Sequence, residues 1–453
     1  MDIQSQARII SYNLYGEEIC ASAARISTTS GNAIEIFENA QANEKNSNLI
    51  NKVLTSGHKS LIEHAVFTIA LCNVSAFVEQ FFIECRLASF TVKSRRYVDF
   101  GKTGYYIPAD LNDTALTTYR GYMDLLFAGY QSLLERGIPK EDARFILPYA
   151  FHSNFYCTLN ARELVKIIHT IRIGRGREIP ELQDLADQII RQIEVLASWL
   201  LPELTPALSV AKFSMPVMLV SDTVSFLPAK ETGSVELIDF PAAASKLLDA
   251  AYRVSHPNST LSSDLNRLLL SERARELEQL SYSFFIADVT LSGVTHIVRH
   301  RMQSVIVSPI QAVNHSRFIL PSTVKNEQGA LTLYADILRE VNAMASEMGR
   351  DPALQKYSYY FALSGNMMDI MTTLNARELK HFIQLRSCNR AQWEVRKIAI
   401  DMLKQLRRIS PELFDHFGPS CYLNGTCPEG RLTCGKKEQV ISEFMPPLQL
   451  GNL

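Results

Sequence analysis

The sequence has no surplus of charge, no long apolar run and no recognisable secretion signal. Its 46 lysines and arginines are balanced by 47 aspartates and glutamates, whereas proteins that follow nucleic-acid backbones usually carry a basic excess. No apolar run reaches the length of a transmembrane helix, and the first residues lack the basic and apolar regions of a signal peptide. We therefore expect a cytoplasmic protein with neither a nucleic-acid nor a membrane partner.

Cysteine is scarce, with 8 residues in a chain of 453. So few thiols do not make a disulfide scaffold, and in a reducing compartment they indicate core thiols or metal ligands. The sequence also has no Walker loop, and no Gly-x-Gly-x-x-Gly motif follows a predicted strand, so a nucleotide cofactor would need a different cradle. With 47% hydrophobic residues, the chain is long enough for two or three domains.

One short stretch concentrates cationic and titratable side chains: Val-Arg-His-Arg at 298–301, with Ser304 three residues later. It follows a mostly apolar run at 284–298, which predicts a buried strand or a passage from strand to helix. Clustered charge at the end of an apolar run is costly unless an anion meets it, which favours a phosphate-bearing ligand. The alternative is a surface patch whose charges pair with nearby acids.

Two motifs recur at the same spacing along the chain. Arg86-Leu-Ala-Ser is matched by Arg301-Met-Gln-Ser, and Asn160-Ala-Arg-Glu-Leu recurs identically from Asn375. The distance from Arg86 to Asn160 is 74 residues, and so is the distance from Arg301 to Asn375. Agreement of this kind is hard to obtain by chance, so the pattern predicts two homologous halves.

We place the halves at 1–215 and 230–453, with a join where Pro206, Pro216, Pro228 and Gly233 interrupt the periodicity. Each half opens with a short strand pattern followed by a helical one. Longer helical patterns lie at 113–136, 183–201, 331–348 and 391–408. The expected fold class is α+β, with a small, mainly antiparallel sheet packed by long helices in each half.

Several motifs taken together point to a family. They are His58-Lys-Ser60 with Glu63-His64, Ser94-Arg-Arg96-Tyr97, the run from Ala143 through Arg144 to Pro148, Arg299-His300-Arg301 with Ser304, Asn375-Ala-Arg377 with His381 and Arg386, and Ala391-Gln-Trp-Glu394. This combination resembles the flavin-dependent thymidylate synthases, and the resemblance covers most of both halves. A member of that family is a single unit of roughly half this length, so the chain looks like a tandem duplication.

The resemblance implies the reductive methylation of dUMP to dTMP. FAD would be the cofactor, methylenetetrahydrofolate the carbon donor and NAD(P)H, here taken as NADPH, the reductant, without a cysteine nucleophile on the pyrimidine. Members of the family work as homotetramers whose FAD and nucleotide sites are shared between subunits. A tandem chain is therefore expected to form a homodimer that imitates the tetramer.

The halves depart from the family signature in different places. The first half has Glu84-Cys85-Arg86 where Arg-His-Arg is expected, whereas the second half keeps the motif. Conversely, Arg144, by resemblance a phosphate-binding residue, has Tyr359 as its counterpart in the second half. Because these losses are complementary, we expect one functional site per pair of halves. Cys85 is either a nucleophile or a small apolar thiol in a motif that has lost its function.

By resemblance, the candidate site residues fall into three groups. The catalytic candidates are Arg299 and Arg386. The flavin candidates are His58, Ser60, Glu63, Arg299, His300, Arg301, Asn375, Arg377 and His381. The nucleotide candidates are Ser94, Arg96, Arg144 and Arg386, where several arginines on one phosphate would give bidentate contacts. Structural alternatives are a buried hydrogen-bonded pair of Glu63 with His64, and a helix cap formed by Asn375 with Glu378 three residues on.

The C-terminal tail has three cysteines in a loop rich in glycine and proline, Cys421, Cys427 and Cys434, and Cys388 is available as a fourth. Four thiols suit a tetrahedral structural zinc, although no Cys-x2-Cys pair is present. An iron–sulfur cluster and unpaired thiols are the alternatives.

Two other functions stay open. The acidic residue expected beside the pyrimidine is replaced by Val92 and Val307, which would fit an enzyme of the same fold that acts on another pyrimidine nucleotide or carbon donor. The second alternative is a non-catalytic protein that descends from the enzyme and binds flavin or nucleotide.

Overall fold

The computed structural model describes residues 4–205, 218–258, 261–271 and 273–446, without the side chains of 262–264 and 270. These residues pack into two compact units. The first unit consists of 4–131, 148–205 and 350–361, and the second of 132–147 with the described residues from 218 to 349 and from 362 to 446. Pro206 and Pro216 of the predicted join lie outside the described residues.

The strands form one four-stranded sheet in each unit and a short additional pair in the second unit. They are β1 (Gln6–Tyr12), β2 (Val66–Ser75), β3 (Ala88–Val92), β4 (His152–Asn160), β5 (Ser225–Pro228), β6 (Ser234–Asp239), β7 (Ser281–Thr290), β8 (Gln303–Val307), β9 (Arg317–Leu320) and β10 (Met367–Asn375). The first sheet has the order β1-β2-β4-β3 and the second the order β6-β7-β10-β8, both antiparallel throughout, while β5 and β9 are parallel. The predicted α+β class with small antiparallel sheets is confirmed.

Helices make up most of the remaining regular structure. They are α1 (Gly16–Arg25), α2 (Ala33–Gln41), α3 (Asn46–Thr55), α4 (Ala76–Ile83), α5 (Asp113–Glu135), α6 (Lys140–Ala143), α7 (Ala161–Arg172), α8 (Pro180–Leu196), α9 (Leu201–Leu204), α10 (Ala244–Ser255), α11 (Leu261–Leu270), α12 (Leu291–Ile297), α13 (Ser322–Lys325), α14 (Gln328–Met348), α15 (Pro352–Gln355), α16 (Ser358–Phe361), α17 (Ala376–Arg386), α18 (Trp393–Ile409), α19 (Pro411–Phe414), α20 (Ser420–Asn424) and α21 (Lys437–Phe444). Within the described residues, no helix has both the length and the apolar character needed to cross a membrane.

The passages from strand to helix are built alike in both units. Where β4 leads into α7, the Asn160 side chain accepts a hydrogen bond from the backbone N–H of Glu163 at 3.0 Å; where β10 leads into α17, Asn375 accepts one from Glu378 at 2.9 Å. Such caps satisfy a backbone donor that the first helical turn leaves unpaired, and each contributes about 1 kcal/mol. The expected capping role of Asn375 is therefore confirmed.

The strands β2 and β7 share an unusual backbone feature. Asn73 has a φ angle of 54° and Asp288 one of 56°, a left-handed conformation that non-glycine residues seldom adopt. The two positions are 215 residues apart, as are Asn160 and Asn375. Since chance would not repeat a strained position at this offset, the repeat seen in the sequence extends to the backbone.

A buried carboxylate lies under the strand end in each unit. In the second unit, Glu394 in the first turn of α18 accepts hydrogen bonds from the Thr290 backbone N–H at 2.9 Å and from its hydroxyl at 2.5 Å. In the first unit, Glu181 in the first turn of α8 accepts them from Ser75 N–H at 2.8 Å and Tyr360 hydroxyl at 2.7 Å. Burial raises the pKa of both carboxyls, that of Glu394 to about 7.

Two segments pack in the unit built mainly from the other half of the sequence. Segment 132–147 belongs to the second unit and segment 350–361 to the first. In the second unit, Asp142 accepts hydrogen bonds from the Thr323 hydroxyl at 2.6 Å and from the Trp393 indole N–H at 2.8 Å. A shift of 215 residues carries the first segment to 347–362, so these are equivalent parts of the two halves.

Candidate active site

The Arg-His-Arg motif of the second unit follows α12, and its histidine contacts both ends of α17. His300 Nδ1 lies 3.0 Å from the carboxylate oxygen Oε1 of Glu378, in the first turn of the helix. At the far end of the helix, Arg386 Nε donates to His300 Nε2 at 2.9 Å. One capped helix therefore positions both hydrogen-bond partners of the imidazole.

These contacts define the protonation state of His300. Its side chain is only 5% exposed, and burial lowers its pKa below the usual value, an effect that Glu378 opposes and Arg386 reinforces. Because Nε2 accepts a hydrogen bond from an arginine, the proton of the neutral ring is on Nδ1 and is donated to Glu378. Protonation of Nε2 would break the contact with Arg386.

Arg386 has a further fixed contact. Its terminal nitrogen Nη2 donates to the backbone carbonyl of His296 at 3.1 Å. The ring of His300 also packs against Phe382, with 4.7 Å between ring centroids, and against His381 at 5.7 Å. The guanidinium is thus held by an imidazole that is itself held by a carboxylate and by packing.

A cavity of about 760 Å³ adjoins α17 in the second unit. Three flavin candidates lie in its wall, Asn375, Arg377 and His381, as does Met302, which directly follows Arg301. Its volume is in the range typical of small-molecule sites. The structure therefore brings together, around one cavity, residues that the sequence separates by more than seventy positions.

The cavity wall carries both signs of charge, but its acidic groups have cationic or titratable partners. Arg377 contacts Glu278 at 2.5 Å, and Glu378 contacts His300. Lys380, which sequence analysis did not single out, also lines the cavity and donates to the backbone carbonyl of Ser271 at 3.4 Å. With its acids paired in this way, the wall suits an anionic ligand.

Glu378 is the functional residue that sequence analysis missed. Its backbone N–H takes part in the cap of α17, which was the role expected for this position, while its side chain holds His300. The repeated Asn-Ala-Arg-Glu motif was the available signal. The carboxylate's partner is 78 residues away in the chain, so no local pattern could reveal it.

Arg299 and Arg301 flank the buried histidine with exposed side chains. The predicted motif therefore has two different environments: a histidine inside the unit and two guanidinium groups at its surface. Such an arrangement allows the arginines to meet a ligand from solvent, while His300 acts on α17 from within.

The candidates of the first half are placed in other surroundings. His58, Ser60 and Glu63 lie at a short 3-10 helix, Lys59–His64, in the first unit. Glu63 and His64 are both exposed, and Glu63 contacts Arg162 at 2.5 Å, so the alternative of a buried Glu63–His64 pair is wrong.

The nucleotide candidates are divided between the two units. Ser94 and Arg96 follow β3 in the first unit, where the Ser94 hydroxyl accepts from the Arg96 backbone N–H at 3.3 Å. The Arg96 guanidinium lies 5.6 Å from the Tyr97 ring centroid. Arg144 belongs to the second unit, is buried, and donates from Nε to the Glu141 carbonyl at 3.0 Å.

Comparison with known proteins gives the family. The model of the family described as thymidylate synthase complementing protein matches residues 8–197 and again 236–412. The chain belongs to the thymidylate synthase complementing protein family. Because the match occurs once in each half, the tandem duplication expected from the repeated motifs is confirmed.

Curated relatives in the family are shorter proteins. The flavin-dependent thymidylate synthase of Clostridium tetani is 30% identical over 228 residues, covering 45% of this chain and 91% of the relative. That of Geobacter sulfurreducens is 30% identical over 212 residues, again covering 45% of this chain and 91% of the relative. Each of these proteins corresponds to about one half of the tandem chain.

Solved structures with similarity to this chain are of the same size class. Thymidylate synthase X of Helicobacter pylori, solved with FAD and dUMP, is 21% identical with a TM-score of 0.35 and covers 44% of this chain and 98% of its own. The UMP/dUMP methylase PolB of Streptomyces cacaoi, solved with 5-Br dUMP, is 22% identical with a TM-score of 0.37 and covers 45% and 95%.

The four cysteines predicted to hold zinc lie around one small pocket: Cys388, Cys421, Cys427 and Cys434. Nevertheless, among the residues that the structure describes, no group of three or more histidine, cysteine, aspartate or glutamate side chains is arranged to hold a metal ion. Burial also raises the pKa of the Cys388 and Cys421 thiols, whereas zinc needs thiolates. The predictions of zinc and of an iron–sulfur cluster are not supported, and the thiols are free.

Cys85 occupies the position in the first unit that His300 occupies in the second. Burial raises the pKa of its thiol to about 12, so at neutral pH the thiolate that a nucleophile requires is almost absent. Of the two interpretations of this residue, the geometry supports the small apolar thiol.

Proposed function

We propose that this protein is an FAD-dependent thymidylate synthase that converts dUMP to dTMP, with methylenetetrahydrofolate as carbon donor and NADPH as reductant. The observation that carries the proposal is the contact of His300 with both Glu378 and Arg386, beside a cavity whose wall includes Arg377 and His381. Family membership of both halves supports it, and the two curated relatives described above are named for this activity.

The residues around the cavity fit FAD. The pyrophosphate of the cofactor is anionic, and Arg377, Lys380 and His381 supply cationic or titratable groups to the wall. Asn375, at the N-terminus of α17, adds the end of a helix that favours negative charge. When bound, FAD would carry reducing equivalents from the nicotinamide to the carbon that is transferred.

The chain's own contribution to catalysis is electrostatic. Arg386 is fixed by His300 and by the carbonyl of His296, so its positive charge needs little reorganisation when a substrate arrives. A cation held in this way stabilises negative charge that develops on the pyrimidine as the ring is activated. Arg299, exposed at the same motif, is the second catalytic candidate.

The phosphate of dUMP is assigned to Ser94, Arg96 and Arg144, on family resemblance. Two features support the assignment: the Ser94 hydroxyl and the Tyr97 ring organise Arg96, and the carbonyl of Glu141 orients Arg144. His58, Ser60 and Glu63 stay flavin candidates on the same resemblance. A homodimer is part of this proposal.

The proposed reaction can be tested directly. Methylation at C5 replaces the hydrogen there, so protein supplied with FAD, NADPH and methylenetetrahydrofolate should release tritium from 5-tritiated dUMP. Omission of the folate donor is the control, since it should abolish product without preventing flavin reduction. Protein that binds FAD and is reduced by NADPH, yet releases no tritium from dUMP, UMP or dCMP, would rule out pyrimidine methylation.

A further inference from the structure

The short helix α20, Ser420–Asn424, lies outside both segments that match the family, 8–197 and 236–412. Two of its residues, Leu423 and Asn424, nevertheless form part of the wall of the cavity that contains Arg377 and His381. The cavity is therefore completed by a tail segment that the family match does not include.

The chain leading into α20 is held by a buried arginine of α18. The Arg407 guanidinium donates to three consecutive-turn carbonyls, those of Phe414 at 3.1 Å, Asp415 at 3.3 Å and Phe417 at 2.9 Å. The hydroxyl of Tyr422, within α20, donates to the Asp415 carbonyl at 2.7 Å. These charge-assisted contacts with backbone fix the direction in which the tail enters the helix.

Both ends of α20 are also constrained. Before the helix, a Cβ atom at Gly418 would meet the Tyr422 ring at 2.6 Å, so only glycine allows this close approach. After it, Gly425 adopts a left-handed φ of 66°, and its carbonyl accepts a hydrogen bond from Lys437 at 3.1 Å. The helix is thus a positioned element, and Asn424 is its last residue.

We propose that α20 is a cofactor-binding element: Leu423 covers an apolar part of the bound ligand, and Asn424 donates its side-chain amide to an anionic or polar group of it. The ligand is identified as FAD, so the inference rests on the proposed function. The charges around the cavity support a neutral donor at position 424, because Glu278 and Glu378 are already engaged by Arg377 and His300. An amide adds hydrogen bonding there without a further charge.

The test is FAD titration of the full chain by flavin fluorescence. Asn424→Asp places a negative charge in the wall and should weaken FAD binding about tenfold or more at low salt. Thr426→Asp adds the same charge two residues on, at an exposed position outside the cavity wall, and should leave the affinity nearly unchanged. Leu423→Ala should weaken binding severalfold, and high salt should restore part of the loss in Asn424→Asp only.

Thermal unfolding without FAD separates binding from folding, since Asn424 is exposed and its replacement should not alter the melting temperature. Equal affinities of Asn424→Asp and Thr426→Asp would overturn the inference, whatever the tritium assay shows. FAD binding without tritium release would overturn the proposed reaction and leave this inference standing. Wild-type protein that binds no FAD would overturn both.

Discussion

Helices α7 and α17 begin with the same five residues and the same asparagine cap, but their glutamates have different partners. Glu378 holds the imidazole of His300 at 3.0 Å, whereas Glu163 contacts Lys166, on its own helix, at 2.5 Å. The capping hydrogen bonds of Asn375 and Asn160 are nearly equal in length, 2.9 and 3.0 Å. The comparison teaches that local backbone chemistry was retained in both halves, while the distant partners that support a reaction persist in one.

The same contrast applies to the residue that each glutamate faces across the repeat. His300 is a titratable group fixed between an acid and an arginine, and its counterpart Cys85 is a thiol whose pKa burial raises to about 12. Near neutral pH, only the second unit therefore has a group at this position that accepts and donates hydrogen bonds strongly.

The largest effect should come from removing the fixed cation of the second unit. Arg386→Ala should reduce tritium release from dUMP by about a hundredfold or more, because a preorganised donor to developing charge is lost. Arg172→Ala is the matched change in α7, where the guanidinium contacts Gln183 at 2.8 Å, and it should leave turnover per folded molecule largely intact. Equal losses in the two variants would contradict the division between the halves.

The next effect concerns the buried carboxylates. Burial raises the pKa of Glu394 from its ordinary 4.5 to about 7, so between these pH values the native state binds a proton that the unfolded chain has released. The free energy of unfolding should therefore fall as pH rises through this window, by up to about 3 kcal/mol. Glu394→Gln should remove that dependence and raise the melting temperature above wild type at pH 8.

Glu181→Gln is the matched variant of the first unit. Its carboxyl pKa is raised as well, so the slope should change with the same sign. Measurement of melting temperature from pH 4.5 to 8 checks both. A wild-type stability that rises with pH across the window, with no change in either variant, would contradict the assignment of protonated carboxyls.

A smaller effect is expected from the acids that distinguish the two helices. Glu378→Ala removes the carboxylate that orients His300, a charged contact that should cost on the order of 1.5–3 kcal/mol and weaken both FAD binding and turnover. Glu163→Ala removes a contact with the largely exposed Lys166, worth about 0–1 kcal/mol. Tritium release and FAD titration on both variants provide the measurement, and similar losses would argue against a special role for Glu378.

The smallest effect should come from the caps that the halves share. Asn160→Ala and Asn375→Ala should each lower the free energy of unfolding by about 1 kcal/mol, because each leaves one backbone donor of the first turn unsatisfied. Only Asn375 lines the cavity, so only its replacement should also weaken FAD binding. Denaturant unfolding combined with FAD titration separates the two roles, and equal FAD affinities would place the ligand elsewhere.

Sequence patterns predicted the secondary structure and the repeat well. The helical patterns at 113–136, 331–348 and 391–408 agree with α5, α14 and α18 to within three residues at each end. That at 183–201 is displaced, because α8 begins with Pro180 at its first turn and ends at Leu196. Agreement is good where the deciding interactions are local: apolar periodicity, an asparagine cap, or a proline that suits a first turn.

By itself, therefore, the sequence determined two α+β halves, their family and the motif residues that carry chemistry. Only the tertiary structure decided which of these side chains meet. Glu378, His300 and Arg386 form one hydrogen-bonded group across separations of 78 and 86 residues, and α20 reaches the same cavity from the tail. Spacing suggested zinc for the tail cysteines, but it does not specify whether thiols converge in tetrahedral geometry. Such contacts depend on how whole elements pack, because packing is set by the shape and burial of complete surfaces and not by the spacing of residues along one segment.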